Sequence, residues 1–298
     1  MLKKLLKYDF KSIWRVWWIL AVSIFGAVIV GAFGGRIFFD GVTGAGKYSS
    51  IISMVSIIAF SLSIYAAIAL PIISAILCLV RFYRNLFTDE GYLTFTLPAK
   101  RSTIFLSKVL NTLIWDGLSL AALLVFMCVY FLITPSPEEV DFFSVTLVQG
   151  STGIINPVIF RAIGSFFADM WQTAGAWTVL YVIQFIIIVA VGMVSGTCML
   201  YFCITFASMI AKKAKIIAGL GISYGVSSAM TFATGILAVI FVPMLVSGIG
   251  AYGLRIEDGM EALTVAVILF LIIAVSAIPT IIFYLWSLKL IEKKLNLA

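Results

Sequence analysis

WTVLYVIQFIIIVAVGMVSGTCMLYFCITFASMI, from Trp177 to Ile210, contains no Asp, Glu, Lys or Arg. A helix rising 1.5 Å per residue needs about 20 apolar residues to cross a ~30 Å hydrocarbon layer, so this run is long enough to span a bilayer with residues to spare. Five further runs match it: Val16 to Phe33, Ile51 to Val80, Leu110 to Thr134, Ile216 to Val246 and Leu263 to Leu285. The long second and fourth runs must tilt, kink or project beyond the bilayer, and Pro71 offers a kink in the second.

Composition agrees. Of 298 residues, 63% are hydrophobic and 11% charged, where a soluble domain carries roughly 25% charge, so no water-soluble core could hide this much apolar surface. Polar stretches are short, and the chain reads as one all-α transmembrane domain over residues 1–298.

The net charge of +7 is a matter of topology. Basic residues sit at the ends of apolar runs, not in a patch with interleaved aromatics, which argues against nucleic acid as a partner. Sixteen Lys and Arg residues fall in the amino segment, the second-to-third loop, the fourth-to-fifth connection and the carboxyl tail; only Arg36, Lys47, Arg161 and Arg255 fall on the opposite side. Basic loops stay cytoplasmic, so both termini are expected inside, with six crossings between them.

Three segments outside the spans have character of their own. Residues 1–15 carry Leu2, Leu5, Leu6, Tyr8 and Phe10 among lysines, which suits either a short amphipathic helix lying in the inner interface before the chain turns into the bilayer, or a plain basic flank. No small-residue cleavage site follows cleanly, so the first helix is expected to be retained. In the external connection, 135–172, Phe160, Ile163, Phe167 and Trp171 recur near helical spacing and predict an amphipathic helix on the outer leaflet. Gly31/Gly35, Gly192/Gly196 and Gly221/Gly225 form GxxxG pairs, each a weak signal for close helix approach in lipid.

Chemistry is scarce. GVTGAGKYS, Gly41 to Ser49, approaches the phosphate-binding G-x-x-x-x-G-K-[ST] loop, but Tyr48 stands where the magnesium-binding hydroxyl belongs, no strand precedes it, and its expected side is external; a flexible turn is the better reading. Histidine is absent, which removes the commonest general base and metal ligand. Cys78, Cys128, Cys198 and Cys203 lie within apolar runs, and the Cys198/Cys203 spacing fits neither a zinc pair nor CxxC, so they read as small core residues. Asp116 lies two turns beyond Lys108 and reads as an interfacial acid, and Gln184 as an interhelical hydrogen-bonding residue. With no ATPase loop and no proton relay on the chain, a partner is expected to supply the energy.

The informative segment is RFYRNLFTDEGYLTFTLPAKRSTIFLSK, Arg81 to Lys108. Thr88 can cap a helix whose first turn holds Asp89 and Glu90, acids favoured by the dipole at that end, and Pro98 ends it before a new basic helix start. Tyr92, Leu93, Phe95 and Leu97 give this short helix more apolar surface than a solvated loop requires.

Glu90-Gly91, Tyr92-Leu93, Leu97-Pro98, Lys100-Arg101 and Lys108 stand in the order found between the second and third spans of type 2 ABC exporter permeases, which this chain resembles over nearly its whole length; DEGYLTFTLP is similar to the version in small Firmicutes-type systems. The resemblance implies that this loop is the coupling helix and that Thr88, Asp89, Glu90, Gly91, Tyr92, Leu93, Phe95 and Leu97 dock on a separate ATP-binding-cassette ATPase subunit. It further implies a second permease copy or a sister permease, ATP and Mg bound on the partner with no cofactor or catalytic residue on this chain, export, and a place in the bacterial plasma membrane. The Gly91-to-Pro98 interval is shorter than in the broader family, so docking contacts carry over only at the residues named. An amphipathic or hydrophobic cargo (peptide, lipid or drug) is expected from the lack of a mid-membrane charge cluster. The alternatives are a loop helix that only anchors the two spans, and a membrane-embedded scaffold or stand-alone carrier.

Overall fold

The computed structural model describes residues 2–42, 50–88, 100–134, 158–211, 214–251 and 258–295. They form seven helices: α1 (Leu2–Val42), α2 (Ser50–Phe87), α3 (Arg101–Ile133), α4 (Val158–Ala174), α5 (Trp177–Ile210), α6 (Lys215–Ala251) and α7 (Asp258–Leu295), with no strand among the described residues. All except α4 contain a stretch long and apolar enough to cross a membrane, and these six coincide with the six expected runs. Helix is what lipid demands of such sequences, because a backbone amide without a partner in hydrocarbon costs several kcal/mol and a helix satisfies its amides internally. The chain is a multi-pass helical membrane protein.

Two features of these elements bear on the sequence reading. First, α1 runs unbroken for 41 residues, about 60 Å, so residues 2–15 continue the axis of the first span and no turn separates them from it. The sequence supplies the reason: neither Gly nor Pro occurs between Leu2 and Phe25 to end the helix. Second, α4 occupies the expected place in the 135–172 connection, with Ile163, Phe166, Phe167 and Trp171 exposed at helical spacing. Gly175 closes α4 in the left-handed region, at φ +54°, and donates its N–H to the Trp171 carbonyl at 2.9 Å. Pro71 and Pro279 sit inside the unbroken helices α2 and α7.

The helices gather into two compact units, each discontinuous in sequence. The unit built from Tyr8–Leu77 and Ile114–Asp169 is organised by the approach of α1 to α2. A Cβ placed on Gly31 would lie 1.9 Å from the Ser63 hydroxyl oxygen, and one on Gly35 would lie 2.3 Å from the Phe60 ring. Only glycine admits that approach, which gains dispersion contacts where lipid supplies no hydrophobic drive between helices. An aromatic group ties α1 to α3: Phe10 stacks on Trp115 with centroids 4.7 Å apart, Trp17 packs 5.5 Å from the same ring, and the Trp17 indole N–H donates to the Ser119 hydroxyl at 2.9 Å.

The unit built from Met1–Lys7, Cys78–Leu113 and Met170–Ala298 has α5 packed along both α6 and α7. Gly219 of α6 lies where a Cβ would meet Ile204 at 2.8 Å. Gln184 of α5 donates to the Ala266 carbonyl of α7 at 3.0 Å, the interhelical hydrogen bond its place in an apolar run predicts. Cys78, Cys198 and Cys203 are buried free thiols and Cys128 a half-buried one, matching their reading as small core residues. Gly192, Gly196, Gly221 and Gly225 face open space, so of the three GxxxG pairs only Gly31/Gly35 packs against a described helix.

Candidate functional site

The Arg81–Lys108 segment is described at both ends. Leu79, Phe82 and Leu86 of α2 and Phe105 and Val109 of α3 share one buried core with Cys198, Tyr201 and Ile204 of α5 and Phe283 and Ile291 of α7. At its centre Phe82 lies flat on Tyr201, centroids 3.8 Å apart and planes 6° apart, while Phe105 meets Phe82 edge-on at 6.1 Å and Tyr284 of α7 at 5.4 Å. Offset and edge-on aromatic pairs add about 0.5–1.5 kcal/mol each beyond burial, so the two helix ends are held as one body with α5 and α7.

Most hydroxyls inside this apolar packing find a partner there. The Thr112 hydroxyl donates to the Lys108 carbonyl at 3.1 Å and accepts from the Tyr201 hydroxyl, whose oxygen lies 3.5 Å from the same carbonyl. Ser107, Thr205, Ser208 and Ser287 donate to carbonyls three or four residues earlier on their own helices. Lys108 and Asn111 are buried as well, and the Asn111 carbonyl oxygen and Arg81 Nε have no hydrogen-bond partner.

Of the predicted docking residues, Thr88 is described. It follows the last turn of α2, and its hydroxyl donates to the Arg84 carbonyl at 2.5 Å; that leaves its oxygen lone pairs for the capping role expected of it. Asp89, Glu90, Gly91, Tyr92, Leu93, Phe95 and Leu97 lie outside the described residues. On the far side of the segment the Lys100 carbonyl accepts from Thr103 and Ile104, which starts α3 at the position the Pro98 break and the basic pair predict. Gly41 and Val42 end α1, and the rest of the Gly41–Ser49 motif lies outside the described residues.

Nothing in their apolar runs sets Phe82 and Phe105 apart from the other aromatics, and Tyr201 was not singled out. The available signal was a tyrosine deep in an uncharged run, since a phenol in hydrocarbon needs a partner for its hydroxyl.

One other surface is built from mixed chemistry. One face of α6 is open and carries Tyr224, Ser227, Ser228, Thr231, Phe232 and Ile236. The Thr231 hydroxyl donates to the Ser227 carbonyl at 2.9 Å, so part of its polarity is already met within the helix. Among the described residues no group of His, Cys, Asp and Glu could hold a metal ion. No family model, curated protein or solved structure matches the chain.

Proposed function

We propose that this chain is the permease subunit of an ATP-binding-cassette exporter, driven by a separate cytoplasmic ATPase subunit that docks on residues 88–97. The observation that carries this reading is the packing of the segment's two roots. A push on the loop between Phe87 and Lys100 would be passed through Phe82, Phe105 and Tyr201 into α5 and α7, which is what a coupling element needs. DEGYLTFTLP supplies the docking chemistry: two acids, Asp89 and Glu90, followed by the apolar Tyr92, Leu93, Phe95 and Leu97.

A second copy or a sister permease would complete the pathway, ATP and Mg would reside on the ATPase, and both termini would face the bacterial cytoplasm. The open face of α6, where hydroxyls adjoin Phe232 and Ile236, supports an amphipathic cargo such as a peptide, lipid or drug. Solubilising the full chain from its native membrane in mild detergent tests the assembly. A stoichiometric ATPase partner is expected; its repeated absence would favour a membrane scaffold or a stand-alone carrier.

A further inference from the structure

The helix that enters the bilayer first carries a charge pattern that topology alone does not require. On α1, Asp9, Ile13, Trp17 and Ala21 recur every four residues and are buried. Opposite them, Lys4, Tyr8, Lys11 and Arg15 recur at three and four and are exposed, Tyr8 to 74%. Asp9 is the sole acid between Met1 and Phe39, and it lies on the buried side, so no carboxylate of this stretch shares the cationic ridge.

Depth follows from the aromatic residues. Trp14 and Trp18 are half exposed, pack edge-on with centroids 5.5 Å apart, and stand where the apolar run opens at Val16. Indoles collect at the membrane–water boundary because one edge is apolar and the other donates a hydrogen bond. Because α1 is continuous, Arg15 stands at that boundary, Lys11 about 6 Å further out and Lys4 about 16 Å out along the axis. Headgroups occupy roughly 5–8 Å beyond the hydrocarbon, so Arg15 and Lys11 stand at phosphate level while Lys4 is beyond a Debye length of ~8 Å from Arg15.

We infer that Lys11 and Arg15, flanked by Tyr8 and Trp18, form a binding site for the phosphate headgroup of an anionic phospholipid in the leaflet that α1 enters at its amino end. Arginine suits a phosphodiester because its planar fork gives two parallel donors, lysine adds a compact second cation, and the tryptophan covers the upper acyl chain. Lipid is the occupant because the ridge continues without a break into the span: the surface closest to these cations is the bilayer itself.

The test titrates the purified full chain in mild detergent with phosphatidylglycerol or phosphatidylcholine and counts lipid-bound chains by native mass spectrometry. Wild type should bind phosphatidylglycerol more tightly than phosphatidylcholine. Lys11→Gln/Arg15→Gln should weaken phosphatidylglycerol roughly thirtyfold, since each of the two cations near a membrane surface contributes about 1 kcal/mol. Lys3→Gln/Lys4→Gln should change it less than about threefold, and Lys11→Arg/Arg15→Lys should retain it, which separates charge from a folding defect. Soluble glycerol phosphate at matched concentration should not displace the lipid. Equal binding of the two lipids by wild type, undiminished binding by Lys11→Gln/Arg15→Gln, or displacement by glycerol phosphate would each overturn the assignment.

Discussion

Phe82 of α2 and Tyr201 of α5 lie face to face, 3.8 Å between ring centroids, although more than a hundred residues separate them in the chain. The pair joins the helix that leads into the loop at 88–100 to a helix from the other half of the sequence. Truncating Phe82 to Ala should destabilise the protein by roughly 3–5 kcal/mol through the lost contacts and the cavity. Tyr201→Phe keeps the stack and loses the Thr112 and Lys108 interactions, and should cost only about 1 kcal/mol. Unfolding of Phe82→Ala, Tyr201→Ala and their double mutant in mixed micelles measures the ring coupling, because each single variant removes the stack that Tyr201→Phe keeps.

The approach of α1 to α2 makes a sharp contrast between two glycines. Gly31→Ala forces a methyl group into Ser63 and should cost about 1–3 kcal/mol. Gly26→Ala meets nothing within 4 Å and should be neutral or stabilising by up to about 1 kcal/mol, because alanine holds a helix better. Equal effects of the two substitutions in the same unfolding assay would show that the close crossing does not exist.

Gln184 donates to Ala266 but leaves its own carbonyl oxygen without a partner. Replacing it by Leu removes a bond worth about 0.6 kcal/mol together with the unsatisfied acceptor, so stability should stay within about 1 kcal/mol of wild type. Gln184→Glu, which sets an ionisable carboxyl in the bilayer, should cost about 2.5–3.5 kcal/mol. The same micelle unfolding series distinguishes them.

Sidedness is tested by chemistry from outside. Cysteines introduced at Val140 and Glu257 should react with a membrane-impermeant thiol reagent on intact cells, and one at Lys213 only after lysis. Reaction at Lys213 in intact cells would reverse the topology.

How far these properties could be read from the chain depended on what each one needs to know. The six spans need only composition, because lipid asks for length and apolarity and little else, so Trp177–Ile210 is legible to the residue and its five counterparts in place, while their helices run past the apolar runs, α1 to Leu2 and α3 to Arg101. The helix at Val158–Ala174 is legible for a similar reason, since Ile163, Phe167 and Trp171 declare a face. Pairings between helices are another matter. Gly31/Gly35 and Gly192/Gly196 carry the same motif, yet the first meets α2 and the second meets open space, because the motif permits a close neighbour without naming one. Phe82 and Tyr201 were invisible on the same ground: in an apolar run every aromatic looks alike until the neighbouring helix is known. A break after Arg15 is one of the two readings that the change of composition there allows, a plain basic flank being the other, and helix propensity with no Gly or Pro carries α1 straight through.

If energy enters from a partner through the segment at 88–97, phosphate release in proteoliposomes reads it out. The chain alone should release no phosphate from ATP, and assembly with its ATPase should restore hydrolysis that Lys47→Ala leaves largely intact. Tyr92→Ala/Leu93→Ala should remove the permease's effect on that hydrolysis while both subunits remain folded. Hydrolysis by the chain alone, abolished by Lys47→Ala and indifferent to Tyr92→Ala/Leu93→Ala, would mean that this protein carries its own nucleotide site and is not a permease subunit.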